Sequence, residues 1–250
     1  MALNHACLPI PAQPRFVEAT LIIRGQKPLS INVTAYELPL FPLNTVLFPG
    51  MPLPLHIFEP RYKTMINECA REQKPFGVVL IKSGAEIGSS AEPHDIGTTA
   101  RIASVQRIAE GRLNIETIGQ DRFRIIELIH DKPYLSAIVE NYPMNDSDSI
   151  NAGLAANRVR PLVTRYMTML AKAANTQFDK HRLPNDPLAL AYLAAIVVQV
   201  PLMVKQNLLC MPSAALLLQE EHTLYRSETA LLNAMLTRTP ADDTSPFSPN

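Results

Sequence analysis

The chain has 250 residues, with 23 basic and 23 acidic side chains, so its formal net charge is zero. Hydrophobic residues make up 47% of the sequence, which is enough for a folded core and excludes a chain that is disordered throughout. Segment 36–142 carries 11 basic and 13 acidic side chains, a balance of −2 that argues against a general nucleic-acid binder. The three cysteines are far apart and have no metal-ligand spacing, which is typical of a reduced, cytoplasmic protein.

Residues 1–35 are weakly patterned, with one short apolar piece at 21–23, and are predicted to be a weakly structured extension. The regular hydrophobic pattern begins close to Val33. Because valine codons can serve as start codons in bacteria, one hypothesis is that the preceding residues reflect a misassigned gene start. Mass spectrometry of the native N-terminus would test it.

Segment 36–60 is rich in proline, at positions 39, 42, 49, 52, 54 and 60. Proline cannot donate a hydrogen bond to a sheet, so an ordinary central strand is not expected here. We predict three short extended pieces instead, Leu38–Phe41, Val46–Phe48 and Leu53–Phe58, with a turn at Pro49-Gly50.

A helix is predicted to begin at Pro60, because proline suits the first helical position. Its apolar residues recur on one face, at Tyr62, Met65, Ile66 and Cys69. At its start, Glu59 and Arg61 are predicted to form a local ion pair.

The pattern changes to period two over residues 76–142, which predicts a series of short strands. These are Phe76–Ile81, Thr98–Ile108, Arg112–Ile118, Phe123–Ile129 and Tyr134–Tyr142, with a polar loop at 84–96. Strands this short and numerous favour a closed or partly closed small barrel over 36–142, because closure removes exposed edges.

A second change of period predicts helices over 147–238. The first is capped by Ser147 or Asp148 and bent at Pro161, the second begins at 185–187, and the last begins at Pro212. The predicted apolar faces are Leu154, Val159, Leu162, Tyr166, Met169 and Leu170 in the first helix and Leu217, Leu218, Leu224, Tyr225, Leu231, Leu232 and Met235 in the last. The tail, 239–250, is predicted to be disordered.

Segment 188–204 has no charged residue, but it contains Gln199 and Pro201. A buried helix that ends near Pro201, followed by another, is favoured over a membrane span.

No nucleotide-binding, nucleophile or metal-binding motif is found. There is no G-x-x-x-x-G-K-[ST], G-x-G-x-x-G or G-x-S-x-G sequence, and the six histidines lack His-Glu-x-x-His spacing. The cluster Glu220-Glu221-His222 is interpreted as part of a solvated helix face. We therefore predict no catalytic residue, no metal and no cofactor, and a protein that is not an enzyme.

Several segments resemble one known family. Segment 38–62 reads LPLFPLNTVLFPGMPLPLHIFEPRY and closely resembles the opening of the Lon protease N-terminal (substrate-binding) domain. Segments IGTTARI at 96–102 and GQDRFRI at 119–125 resemble later strands of that domain. Segments DPLA at 186–189 and KQNLL at 205–209 resemble parts of its helices. The resemblance covers 36–238 and implies an α+β fold, a PUA-like β-barrel with one early helix followed by a C-terminal α-helical bundle. Lon proteases continue into ATPase and Ser-Lys peptidase modules, and this sequence ends before either.

The resemblance implies a non-catalytic module that binds unfolded or damaged polypeptides, independently of ATP. Such a module would act as an adaptor, a holdase or a regulator of a protease supplied in trans. The candidate binding residues are Phe41, Phe48, Met51 and Phe58, which lie beside the prolines and their unpaired strand edges. Aromatic residues at this spacing are more often core residues, so Met51 is the one most expected at the surface.

RNA binding is the alternative function, because PUA-like barrels often bind RNA. The residues that could contact phosphates are Arg101, Arg107, Arg112, Arg122 and Arg124. The net negative charge of 36–142 argues against this alternative.

Overall fold

The computed structural model describes residues 15–21, 29–84 and 91–237. Within these ranges the chain forms eight strands and five α-helices, with the helices concentrated in the second half. The strands are β1 (Arg15–Leu21), β2 (Leu29–Leu43), β3 (Pro52–Ile57), β4 (Phe76–Ser83), β5 (Glu92–Pro93), β6 (Ile96–Arg107), β7 (Leu113–Ile129) and β8 (Ser136–Asn141). The helices are α1 (Pro60–Glu72), α2 (Ile150–Ala173), α3 (Pro187–Val197), α4 (Leu202–Leu209) and α5 (Ala214–Thr237).

The strands form one mixed sheet whose pairings return to their starting point. β2 pairs with β8, β8 with β7, β7 with β6, β6 with β4, and β4 again with β2. Only the contact between β2 and β4 is parallel within this circuit. β1 extends the sheet from β2, and β3 pairs with β7 outside the circuit. The structure thus confirms the predicted combination of a sheet with an early helix and later helices.

β2 continues through Pro39 and Pro42, so the predicted break of this strand is wrong. It pairs with β8 up to Pro39 and with β4 from Leu40 onward. The Leu40 N–H donates to Leu135 O on the β8 side, and amide directions alternate along a strand. The Pro42 nitrogen therefore faces the β8 side beyond the last paired residue, and the Pro39 nitrogen faces the β4 side before the first. Both prolines sit where no ladder hydrogen bond is required.

Two other strand predictions differ from the structure. Val46–Phe48 is not a strand, because it belongs to the loop between β2 and β3. The predicted strands 112–118 and 123–129 are one strand, β7, which pairs with β3 along its first part and with β8 along its last. Residues 15–21, within the predicted extension 1–35, form β1, which pairs antiparallel with 29–35 of β2. The predicted disordered tail lies outside the described residues.

Helix α1 begins at Pro60 and buries Tyr62, Met65, Ile66 and Cys69, as predicted. The predicted ion pair also forms, with Arg61 Nη2 3.0 Å from Glu59 Oε2.

Ser149, not Ser147 or Asp148, caps α2. Its hydroxyl oxygen accepts a hydrogen bond of 3.1 Å from the Ala152 amide. Pro161 lies within the continuous helix, and the predicted face residue Leu154 is 54% exposed.

The Ser149 cap leads to a prediction on stability. Ser149→Ala removes the hydroxyl oxygen that accepts the Ala152 N–H in the first turn of α2. We expect it to lower the free energy of unfolding by about 1 kcal/mol. Urea denaturation measures the change. Ser147→Ala is the control and should leave the midpoint within error; equal losses for both variants would contradict the assignment of the cap.

The other helix predictions agree with the structure in outline. Asp186 caps α3, its carboxylate accepting a 2.7 Å bond from the Ala189 amide. Segment 188–204 forms two helices with Pro201 at the start of the second. None of the described helices has the length and hydrophobicity needed to cross a lipid bilayer. In α5, Leu217, Leu218 and Tyr225 are buried as predicted, whereas Leu231 and Met235 are more than half exposed.

The sheet and the later helices share one core. Val46, Phe48 and Leu80 from the strand region pack in the same buried cluster as residues of α2, α3, α4 and α5. A second cluster lies between α1 and the sheet and contains Phe41, Phe76 and Tyr62. The loop 44–51 passes between these two clusters, which places the residues at its end close to both.

Candidate functional site

The four candidate binding residues do not form one surface. Phe41 is 6% exposed and stacks on Tyr62 of α1, with ring centroids 4.0 Å apart. Phe48 is fully buried in the cluster shared with the helices. These two are therefore corrected to core residues, because the strand and loop that carry them are covered by helices on opposite sides. The polypeptide-binding prediction then rests on Met51 and Phe58.

Met51 is half-buried and packs against both clusters. The turn before it is held to β7 by main-chain hydrogen bonds. The Gly50 amide donates to Gly119 O, and the Gly119 amide donates to Met51 O, both at 2.9 Å. The Met51 amide in turn donates to Phe48 O at 3.0 Å. Met51 was the candidate most expected at the surface, but it is half-buried, and Phe58 is the more exposed of the two.

Phe58 lies at the end of β3 and is 46% exposed. Its ring stacks on that of His56, with centroids 6.1 Å apart. His56 is exposed, and its Nδ1 lies 2.7 Å from Asn114 Oδ1 on the neighbouring strand. The pair therefore presents an aromatic surface whose orientation is supported by β7.

The outer edge of β3 has unusual hydrogen-bonding capacity. β3 pairs with β7 on one side, and no other described strand pairs with it. Because proline cannot donate, the ladder bonds to β7 come from Leu53, Leu55 and Ile57. The main-chain groups of Pro52, Pro54 and His56 then point to the outer edge. That edge offers three carbonyl acceptors but only one N–H, from His56.

An apolar groove of about 380 Å³ lies between the turn before β3 and helix α3. Its lining residues are mainly apolar: Pro49, Gly50, Asp186, Leu188, Ala189, Tyr192, Leu193 and Ile196. Pro49 and Gly50 belong to the same segment that leads into β3. We refer to the groove, the outer edge of β3 and Phe58 together as the 49–58 surface. Sequence reasoning missed the contribution of α3, since nothing in the pattern indicates which helix packs against the proline-rich segment.

The five arginines of the RNA alternative do not form one basic surface. Arg101 and Arg107 are exposed, whereas Arg122 is 3% exposed. Arg124 forms an ion pair of 3.2 Å with Glu140. The Arg122 Nη1 donates to Leu209 O at 2.6 Å and Met211 O at 2.7 Å, and burial lowers the pKa of this group. Arg122 therefore joins the sheet to the end of α4 and is not available to a phosphate.

In the part of the chain that the structure describes, the shifted titratable groups are scattered and serve packing. Burial raises the pKa of the Cys69 thiol to about 11, so it is protonated at neutral pH and a poor nucleophile. Burial and a hydrogen bond to Glu68 raise the pKa of Tyr134. Within 15–21, 29–84 and 91–237, no three His, Cys, Asp or Glu side chains are grouped so that they could hold a metal ion. The geometry supports binding through main-chain acceptors and apolar side chains.

The family model described as the ATP-dependent protease La (LON) substrate-binding domain matches residues 37–225. The chain belongs to this family. Lon protease 2 of Myxococcus xanthus is 31% identical over 178 residues, which are 69% of this chain and 21% of that protein. Lon protease of Flavobacterium johnsoniae is 36% identical over 106 residues, 42% of this chain and 13% of that protein. The chain therefore matches only about a fifth or less of these relatives, within their substrate-binding domain, which is a non-catalytic module.

Two solved structures share the fold of this Lon substrate-binding domain. The Lon N-terminal domain protein from Xanthomonas campestris has 24% identity and a TM-score of 0.56, covering 74% of this chain and 96% of that one. The N-terminal domain of the Mycobacterium avium complex Lon protease has 18% identity and a TM-score of 0.59, covering 78% and 98%. Both matches support the fold.

Proposed function

We propose that this Lon substrate-binding domain is a non-catalytic module that captures unfolded or damaged polypeptides without ATP, through its 49–58 surface. The observation that carries the proposal is the outer edge of β3, which presents three carbonyl groups beside the exposed ring of Phe58. Homology to Lon proteases supports a role beside a protease, as an adaptor, a holdase or a regulator in trans. The circuit of five strands supports the further proposal that the sheet is a small PUA-like barrel.

An extended polypeptide fits this edge better than a folded one. A folded protein has satisfied its main-chain N–H groups, whereas an unfolded segment can donate alternate N–H groups to the carbonyls of β3. The prolines at 52 and 54 withhold donors, so two copies of β3 cannot pair as a complete ladder. The edge can therefore accept a client strand while resisting association with itself.

The apolar part of the surface would supply most of the affinity. Main-chain hydrogen bonds exchange for bonds to water and contribute little net free energy, whereas burial of Phe58 and of the groove removes apolar area from water. Met51 is half-buried against both clusters and lies between Gly50 of the groove and Pro52 of the edge in the sequence. Contacts of this kind are insensitive to the sequence of the client, as capture of damaged chains requires.

Phe58→Ala is the test of this proposal. The substitution removes the exposed ring from the end of β3 and is expected to weaken binding about tenfold, because a buried aromatic contact contributes about 1–2 kcal/mol. Fluorescence anisotropy with a labelled, reduced and carboxymethylated polypeptide, which cannot refold, measures the change in ATP-free buffer. Ile126→Ala is the control, because Ile126 is 49% exposed but lies near the far end of β7.

Three outcomes decide between the proposals. Loss of binding for Phe58→Ala but not for Ile126→Ala supports the 49–58 surface. Equal binding by all three proteins would show that the client contacts another surface. Binding of RNA that weakens steeply from low to moderate salt, with no binding of the polypeptide, would favour the RNA alternative and contradict the proposed function.

A further inference from the structure

Glu221 is a buried carboxyl group on α5. The sequence interpretation placed it on a solvated face with Glu220 and His222, and the structure shows that this was wrong for Glu221. Its exposure is 0%, and neither of its carboxyl oxygens has a hydrogen-bond partner among the described residues. Glu220 is exposed and His222 is half-buried. Glu221 instead lies on the face of α5 that carries Leu217, Leu218 and Tyr225 into the core.

No basic side chain of α2 pairs with the Glu221 carboxyl group. The titratable side chain of α2 in the core is Tyr166, whose ring meets that of Tyr225 edge-on at 5.2 Å. Arg158 and Arg165 are exposed, and Arg160 donates to Pro184 O at 2.7 Å.

The other neighbouring helices do not compensate for it either. Tyr192, the titratable residue of α3, interacts electrostatically with Arg122 and Asp121. Lys205 of α4 donates to Ile196 O at 2.7 Å. On α5 itself, the Tyr225 hydroxyl donates to Ala194 O and so is already engaged. Burial is accordingly the cause that raises the pKa of Glu221 well above its ordinary value.

A carboxylate in such surroundings is strongly disfavoured. Without a cation or donor, ionisation would place a bare charge in an apolar core, and proteins avoid this by keeping the group protonated. In the unfolded chain the same carboxyl is hydrated and ionises above about pH 4.3.

We propose that Glu221 makes the packing of the helices proton-dependent: its carboxyl is neutral while α5 is packed, and it must lose its proton when α5 is released. Glu221 therefore makes the free energy of unfolding larger in mild acid than at neutral pH. This device does not depend on the polypeptide-binding proposal.

The direction of the effect follows from proton linkage. Between the ordinary glutamate pKa and the raised pKa of the folded state, the native protein holds one more proton than the unfolded chain. Stability falls with rising pH across this window, and each pH unit multiplies the unfolding equilibrium constant by up to about ten. Above the folded-state pKa the dependence disappears.

The experiment compares urea denaturation of the full chain and Glu221→Gln between about pH 5 and pH 8. The ratio of the unfolding constant of the wild type to that of the variant is expected to rise with pH by up to tenfold per unit, because glutamine cannot ionise. Glu220→Gln, one residue away and exposed, should give a ratio that does not vary with pH. A constant ratio for Glu221→Gln would overturn the proposal.

A measurement on the wild type covers the case in which Glu221→Gln does not fold. In protein labelled with ¹³C at glutamate carboxyl groups, one carboxyl resonance is expected to keep the protonated position as the pH rises above the ordinary glutamate pKa of about 4.3, where the exposed glutamates ionise. If every glutamate resonance is at the ionised position, Glu221 carries a charge in the folded state and the proposal fails.

Discussion

Arg122→Met is expected to lower the free energy of unfolding by about 3 kcal/mol. The guanidinium donates to Leu209 O and Met211 O, which are the carbonyls at the end of α4, and it lies 4.6 Å from the centre of the Tyr142 ring. Methionine retains much of the apolar packing but leaves both carbonyls without this donor, and a hydrogen bond to a charged group contributes about 1.5–3 kcal/mol. The loss is offset in part, because Arg122 Nε and Nη2 have no partner among the described residues.

Arg124→Met is the matched control. Arg124 lies on the same strand and over the same Tyr142 ring, 4.4 Å from its centre, but it is exposed and forms a surface ion pair with Glu140. A surface ion pair contributes less than about 1 kcal/mol, so this variant should unfold near the wild-type urea midpoint. If both variants lose the same stability, the carbonyl bonds of Arg122 do not hold the sheet to the helices.

The second large effect is expected at Gly119, where β7 meets the loop 44–51. A Cβ atom at this position would lie 2.3 Å from Phe48 O, which is main chain and cannot rotate away. Gly119→Ala must therefore displace the loop or β7, and it also disturbs the hydrogen bonds that hold Gly50 and Met51. We expect a loss of about 3 kcal/mol in the free energy of unfolding, measured by urea denaturation.

Gly153→Ala is the control for Gly119→Ala. Gly153 lies in α2, and a Cβ atom there has nothing within 4 Å. Alanine favours the helix over glycine by about 1 kcal/mol, so this variant is expected to be more stable than the wild type. Opposite signs for the two substitutions would support the close approach at Gly119. A neutral Gly119→Ala would contradict it.

Helix α1 shows how far local patterning extends. Pro60 and the spacing of Tyr62, Met65, Ile66 and Cys69 predicted both its first residue and its buried face. Such features depend on interactions within a few residues of the chain, so they can be read without knowing what the helix packs against. The start of α3 at 185–187 and the division of 188–204 near Pro201 were predicted for the same reason.

Phe41, Phe48 and Glu221 owe their burial to distant elements. Phe41 and Phe48 were candidate binding residues beside the prolines, although aromatic residues at this spacing are more often core residues; α1 covers Phe41, and α2 to α5 surround Phe48. Glu221 stands between polar neighbours in the sequence, and its burial depends on the approach of α2 and α3 to α5. Burial is set by the partner elements, which the residue's own neighbours do not specify.

The amino-acid order by itself determined the change from strands to helices and the start of α1, because these depend on backbone geometry and short-range periodicity. It also shows directly that 36–60 is rich in proline. It also carried the family resemblance, which the comparison over 37–225 confirmed. Only the tertiary structure decided that β2 runs through its prolines, that α3 completes a groove with Pro49 and Gly50, and that Glu221 is enclosed. These features arise where distant segments meet, and the free energy of such contacts depends on three-dimensional packing that no local pattern encodes.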